Sequence, residues 1–267
     1  MWLRTSCEIT FDIIEPTPFI LMLRLRKGAQ QRVASEEYRV VPNVPVYEFT
    51  DIFGNLSQRL IAPPGSFAVY TSAEVMTADR VDQSFGAPFV DIQHLPDGVL
   101  SYLLPSRYCE SDRFNQMAAE ITAGQQLGYD QVSAIESWLR TAIRYEPGGS
   151  PLPVSAVEVN LRQMGVCRDL AHLGIALCRS LCIPARLVVG YLYGLKPMDL
   201  HAWFEAYIAQ RWYTFDATQT GPKGGYVVIG YGRDAADVAI YNQFGPAVYP
   251  LTQDVRVQRI EQKPPGY

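Results

Sequence analysis

The period of the hydrophobic pattern changes along this chain, and that change limits what it can fold into. Between residues 5 and 82, apolar side chains recur at every second position. Cys7, Ile9, Phe11 and Ile13 alternate with Glu8, Thr10 and Asp12, and Leu21, Leu23 and Leu25 with Met22, Arg24 and Arg26. A two-residue period belongs to strands with one buried face. "VYEFT" and "LSQRLI" flank Gly54-Asn55, a hairpin signal, and "FAVYTSAEVMT" continues the β-rich text. Short strands at this spacing need a second layer to bury their apolar faces, so residues 1–82 are expected to form an antiparallel β-sandwich. Residues 83–110, punctuated by Pro88, Pro96 and Pro105, read as an extended connector crossed by few contacts. On this reading the sandwich is separable, and its removal leaves the rest assembled.

From Ser111 onward the period is helical. Phe114, Met117, Ala118 and Ile121 follow a Ser111/Asp112 cap, with Gly128 as the stop. A second helix takes Asp130 as its cap, carries Val132, Ile135, Leu139, Ala142 and Ile143 on one stripe, and ends by Pro147. "SAVE", Ser155 to Glu158, is a capping box for a short helix that Gly165 should terminate. Residues 111–267 are therefore read as a second, mixed domain, and the whole chain as α+β.

The chain has 267 residues, 48% hydrophobic and 19% charged, with a formal net charge of -4. That composition supports a sizeable core and excludes disorder and a general attraction to nucleic acid. "MWLRTSCEITFDII" does not read as a signal peptide, and "FILMLRLR" and "ARLVVGYLYG" are too short to span a bilayer. A cytoplasmic protein with no membrane partner is expected. Its five cysteines, Cys7, Cys109, Cys167, Cys178 and Cys182, would then be reduced. Cys178 and Cys182 share a helical face, but the ligand spacings of a structural metal site are missing, so neither metal nor cofactor is expected.

In "GVCRDLAHLGIALCRSLCIPAR", Gly165 allows a sharp turn and Cys167 falls on the first turn of an apolar helix. The unpaired N–H groups and positive dipole there favour a thiolate, whereas a cysteine without further context is more often a small buried hydrophobe. Cys178 is about 16 Å further up the helix, too far to form a disulfide with Cys167. A nucleophilic thiol needs a base. His172 lies about 140° around the helix from Cys167 and reads as a core or supporting histidine bonded to Asp169, while His94 sits in the connector without periodic context. His201 is different, because "HAWFEAYIAQRWYTFDAT" reads as two strands around a tight turn. A loop of two or four residues sets Trp203 opposite Asp216 and makes His201 its diagonal neighbour, about 7–8 Å away at the backbone. A three-residue loop puts Asp216 on the other face, and an ordinary cross-strand polar pair is the alternative. The helix carrying Cys167 is expected to pack on the His201 face, giving a thiol, a base and an orienting acid.

"GVCRDLAHL", "HAWFEAY" and "WYTFDAT", in that order, resemble the transglutaminase-like superfamily, particularly its bacterial cysteine proteases. The resemblance implies a papain-like core with Cys167, His201 and Asp216 as catalytic residues. It extends to the β-rich domain that commonly precedes this core, through the Asp51–Asn55 turn, and to "LLPSRYCESD" and "GRDAADV". Cys182 stands where glycine is usual and Ala217 where proline is usual, the latter expected to loosen the loop after Asp216. What the resemblance implies is a cysteine hydrolase of peptide, protein or other amide substrates. Acyl transfer to amines, or a binding module with an idle triad, are the alternatives, since one fold hosts several activities. The Cys167 N–H is a candidate oxyanion donor, with Gln163 and Trp138 as candidates for a second. The calcium dependence of animal transglutaminases finds no acidic loop here.

Overall fold

The computed structural model describes residues 1–28, 30–148 and 152–261, so the end of the domain expected at 111–267 lies outside the described residues. Six strands come first: β1 (Trp2–Ile13), β2 (Thr17–Leu21), β3 (Gln31–Val41), β4 (Tyr47–Thr50), β5 (Leu56–Ala62) and β6 (Gly65–Thr77). Strand β1 buries Leu3, Thr5, Cys7, Ile9, Phe11 and Ile13. It pairs antiparallel with β6, from Trp2 opposite Met76 to Ile13 opposite Gly65. Facing follows register, so the pairing turns Phe67, Val69, Ala73 and Val75 to the same inner side. Phe11 and Phe67 close on Phe19 of β2, with ring centroids 5.3 and 6.3 Å away. Each fully buried ring contributes about 1.5–3 kcal/mol, and together they join the two sheets into one core. Leu23 and Leu25 are buried as their alternation implies, although β2 itself ends at Leu21.

The helical half follows with α1 (Asp97–Leu100), α2 (Asn115–Ile121), α3 (Tyr129–Ala142), β7 (Arg144–Tyr145), α4 (Ala156–Arg162), β8 (Met164–Gly165) and α5 (Cys167–Ser180). Strands β9 (Ala185–Leu192), β10 (His201–Ile208), β11 (Arg211–Phe215) and β12 (Tyr226–Gly232) make an antiparallel sheet in the order β11-β10-β9-β12. The box at Ser155–Glu158 caps α4 reciprocally, with Glu158 N–H donating to Ser155 Oγ and Ser155 N–H to Glu158 Oε2. Helix α4 ends earlier than expected because Gln163, not Gly165, takes the left-handed conformation (φ 54°). Helix α3 starts from Gly128 (φ 110°), and the Asp130 carboxylate accepts instead from Gly86 N–H. Any Cβ on Gly128 would stand 2.4 Å from the Ala87 carbonyl, so only glycine fits there. Helix α5 lies across β10 at Gly174, where a Cβ would meet Phe204 at 2.7 Å.

The last two strands overturn the expected boundaries. Strand β13 (Tyr241–Gln243) pairs with β2, and β14 (Thr252–Arg259) pairs with β1 from Leu3 opposite Arg259 to Thr10 opposite Thr252. Residues read as part of 111–267 thus complete the N-terminal sheets, ordered β14-β1-β6-β3 and β13-β2-β5-β4. The unit is not contained in residues 1–82, because β14 buries Val255 and Val257 there. Nor are residues 83–110 a bare connector. Val90, Leu95, Val99 and Tyr102 are buried, and they gather with Tyr207 and Trp212 of the helical half's sheet. Burying these apolar side chains outweighs leaving the segment extended in water.

Strand β12 ends its sheet, and an open edge there would leave buried N–H and C=O groups unpaired. Side-chain amides from the N-terminal half fill that place. Gln31 Oε1 accepts from Val228 N–H at 2.6 Å while its Nε2 donates to Val228 O at 2.8 Å. Asn55 Oδ1 accepts from Tyr231 N–H at 2.9 Å and its Nδ2 donates to Tyr231 O at 2.7 Å. Asp51 aims Asn55, accepting from its N–H at 2.8 Å and from its Nδ2 at 2.9 Å. The Asp51–Asn55 turn therefore joins the two halves as well as reversing the chain. Asn55→Ala removes four side-chain hydrogen bonds and leaves the Tyr231 backbone groups without partners. Such orphaned groups cost about 1–3 kcal/mol each, so the variant should lose about 3 kcal/mol in a urea titration. An unchanged midpoint would mean that this edge is satisfied some other way.

Candidate active site

Cys167 is the first residue of α5, with Val166 as its extended N-cap. Asp169, one turn along, turns back to accept from Val166 N–H at 3.3 Å, closing the helix start. Cys167 is half-buried, unlike Cys7, Cys109 and Cys178, which are fully enclosed. Burial pushes the Cys7 thiol up to about 12 and raises those of Cys109 and Cys178, so these three are inert. Cys182 is exposed and occupies the left-handed helix exit (φ 59°), where its N–H donates to Arg179 O. The two cysteines of the helical pair thus face different surroundings.

The turn between β10 and β11 has two residues, Ala209 and Gln210, both left-handed (φ 46° and 63°). Ile208 is therefore opposite Arg211 and Phe204 opposite Phe215. The ladder ends there, and Asp216 follows as the next residue after β11, beside the start of β10. His201 Nε2–H donates to Asp216 Oδ2 at 2.7 Å, and both side chains are buried. Burial alone would depress the imidazole, but the Asp216 carboxylate outweighs it, and with the Cys167 sulfur raises His201 to about 10. Burial also works against the Asp216 carboxylate, which His201 and two Thr218 donors nevertheless hold below its ordinary range. The other imidazole nitrogen, Nδ1, is buried without a well-formed hydrogen bond, while the Cys167 sulfur lies near enough to act on the ring. Loose contacts of this kind are common before a substrate binds.

The helix does not pack on the His201 face, as the sequence reading expects. Ala202, Phe204, Ala206 and Ile208 face α5 and its core, while Trp203 lies in a separate cluster with Val188, Val228 and Tyr231. His201 opens its strand, and Cys167 opens its helix. Cys167 and Asp216 line the same crevice together with Ala202, Trp203 and Thr218. The thiol and the imidazole therefore meet at the ends of their elements.

Behind Asp216 the backbone is fixed more firmly than Ala217 implies. Thr218 donates to Asp216 Oδ1 from its N–H at 2.9 Å and from Oγ1 at 2.7 Å. Asp216 N–H donates to Glu136 Oε1 at 2.8 Å, and the Tyr226 hydroxyl donates to Asp216 Oδ2 at 2.9 Å. The sequence reading missed these partners. Thr218 two residues after an aspartate is a visible turn signal, but Tyr226 arrives from a different strand and leaves no local trace. His172 is not bonded to Asp169. Its Nδ1–H donates to Val154 O at 2.9 Å, its Nε2 accepts from Ala235 N–H at 3.2 Å, and burial lowers it to about 4. It is a neutral core histidine stacked on Tyr108, and His94 is exposed. Gln163 is exposed with its amide turned onto Asn160 O, and Trp138 packs half-buried against the main core.

A cavity of about 500 Å³ lies elsewhere, bounded by Phe53, Tyr102, Arg186, Trp212 and Arg233. Its arginines are already paired with Glu205 and Asp237, and it holds no thiol. Because His201 is raised above its unfolded value of about 6.5, its contribution to stability is complete below that pH and is lost as pH rises through about 10. The destabilisation caused by His201→Gln should therefore be larger at pH 6 than at pH 10.5 in denaturant titrations. An equal penalty at both pH values would remove the charged imidazole.

The sequence model described as the transglutaminase-like superfamily matches residues 115–217, which include Cys167, His201 and Asp216. A crystal structure of a candidate cysteine protease from Cytophaga hutchinsonii is 35% identical, superposes with a TM-score of 0.91, and is matched over 98% of this chain and 92% of its own. An uncharacterized protein of Mycobacterium leprae is 25% identical over 227 residues, which are 80% of this chain and 81% of that protein. An uncharacterized Mycobacterium tuberculosis protein is 30% identical over 141 residues, 45% of each chain.

Proposed function

The chain belongs to the transglutaminase-like superfamily, and from that premise we propose that it is a cysteine hydrolase of peptide or amide bonds acting through Cys167, His201 and Asp216. The observation that carries this reading is the 2.7 Å bond from His201 Nε2 to a buried Asp216, which leaves Nδ1 for the half-buried thiol. An imidazole held protonated at neutral pH favours the thiolate beside it, and the start of α5 adds its dipole.

In this mechanism the Cys167 proton already rests on His201 Nδ1, and the thiolate attacks the carbonyl carbon of the scissile amide. The imidazolium returns the proton to the departing nitrogen as the C–N bond breaks, leaving a thioester on Cys167. Water then gives a proton to His201 and adds to the thioester. The carboxylic acid leaves, and the Cys167 sulfur takes the proton back. Asp216 holds the imidazole in the tautomer that keeps Nδ1 available, and the Cys167 N–H at the helix start can donate to the developing oxyanion. The substrate is a peptide, protein or other amide, and no step needs a metal or cofactor. Cytosolic placement belongs to this proposal, and the five cysteines, all free in the structure, are consistent with it.

A peptide library screened with the full chain, with Cys167→Ala as control and a primary amine added in parallel, tests the reading. Free carboxylate products that vanish in the variant support hydrolysis, while amine adducts in their place indicate acyl transfer. Once a substrate is known, Asp216→Asn should lower turnover at least a hundredfold, about 2.7 kcal/mol of barrier, while the fold survives. A loss within threefold, about 0.7 kcal/mol, would make Asp216 structural.

A further inference from the structure

Four hydrogen bonds converge on the Asp216 carboxylate, and His201 supplies one of them. Thr218 gives both of its donors to Oδ1, whereas Oδ2 is shared between His201 Nε2 at 2.7 Å and the Tyr226 hydroxyl at 2.9 Å. Tyr226 opens β12 and packs edge-on against Trp203, with ring centroids 4.9 Å apart. Its backbone is tied to the other half of the molecule. Thr77 Oγ1, at the end of β6, donates to Tyr226 O at 2.6 Å, and Gly225 N–H donates to Ala78 O at 3.1 Å. Further along β12 the Gln31 and Asn55 amides hold Val228 and Tyr231. The phenol is therefore anchored to the N-terminal sheets at one end and touches the candidate site at the other.

We propose that Tyr226 is a positioning residue that fixes the Asp216 carboxylate and divides its charge between phenol and imidazole, and that the N-terminal half serves the site by holding Tyr226 in place. This rests on the reading of Cys167, His201 and Asp216 as the catalytic group. A buried carboxylate oxygen that loses one of two donors leans harder on the other. Without the hydroxyl, Oδ2 has His201 alone, the Nε2–H bond tightens, and the imidazolium holds its protons more strongly. His201 must release a proton to the leaving nitrogen in every cycle, so tighter holding slows turnover more than it alters substrate binding. The charged and titratable groups around this pair are Cys167 on α5, Asp216 after β11, Tyr226 on β12, Glu136 and Arg140 on α3, and Tyr145 on β7. Glu136 and Arg140 engage the backbone of Asp216, which leaves Tyr226 as the side chain sharing Oδ2 with His201.

The full chain carrying Tyr226→Phe keeps the ring against Trp203 and deletes one oxygen. At neutral pH, the low-field proton resonance of His201 Nε2–H should move downfield. The Nδ1–H of His172, bonded to Val154 O in the core, should stay in place as an internal control. On an amide substrate, kcat should fall about tenfold with KM within threefold. Thr77→Val, which releases the Tyr226 carbonyl and retains the phenol, should move the His201 resonance the same way by a smaller amount. It carries the test alone should Tyr226→Phe fail to fold. A His201 resonance that stays put or moves upfield overturns the positioning role. A wild type that turns over no amide defeats the catalytic reading, while the resonance still decides whether Tyr226 shapes the pair.

Discussion

The register of a single hairpin decides whether the candidate site can form. Side chains alternate across a strand, so a slip of one residue between β10 and β11 would carry Asp216 to the far face of the sheet from His201. The two-residue turn prevents that slip, and it does so with Ala209 and Gln210 in left-handed backbone that glycine or asparagine would adopt more easily. Non-glycine residues there cost about 1 kcal/mol or more each. The pairing along β10 and the buried bond at its end offset that cost. Once the register is fixed, Thr218 and Tyr226 complete the carboxylate's partners, and the half-buried thiol needs only the helix start to reach the ring.

Other parts of the fold hold that sheet against the helix. Arg179, buried on α5, donates to Ala185 O from Nε and Nη2, to Arg233 O, to Leu104 O and to Ser106 Oγ. One side chain thereby ties the helix to the segment before α2, the start of β9 and the loop after β12. A guanidinium bonded to so many carbonyls gains little beyond hydrophobic packing, but losing any partner would leave a buried charge exposed to a poor environment. On the opposite edge, the Gln31 and Asn55 amides take the place of a fifth strand. The N-terminal half is therefore built into the sheet of the candidate site, and deletion of residues 1–82 would unpair both β12 and β14.

Local chemistry was legible in the sequence where one segment carries it. The alternation in β1, the Ser155–Glu158 cap and the tight turn before Trp212 are short-range patterns with their own physical causes. What the sequence did not show depends on partners far along the chain. Strand β14 has the composition of many edge strands, and nothing in "TQDVRVQR" names β1 as its neighbour. Gly128 reads as a stop and Asp130 as the next cap, and only the Ala87 carbonyl, which fills the space beside Gly128, accounts for a helix that starts from the glycine instead. The expectation that α5 packs on the His201 face fails because a thiol and an imidazole at the ends of their elements need not share a face. They meet at the first residue of each. Tyr226 was invisible for the same reason, since its role comes from tertiary placement.

The central claim is that Cys167 is an activated thiol and His201 is what activates it. Iodoacetamide labelling at about pH 6, mapped by mass spectrometry in the wild type and in His201→Ala, measures this directly, since unperturbed thiols near about 8.5 stay protonated there. Exposed Cys182 reports what accessibility alone achieves, and Cys7, Cys109 and Cys178 report burial. The account predicts that Cys167 is labelled well ahead of Cys182 in the wild type and loses most of that lead in His201→Ala. Cys167 left unlabelled in the native wild type, or labelled equally fast without His201, would contradict it.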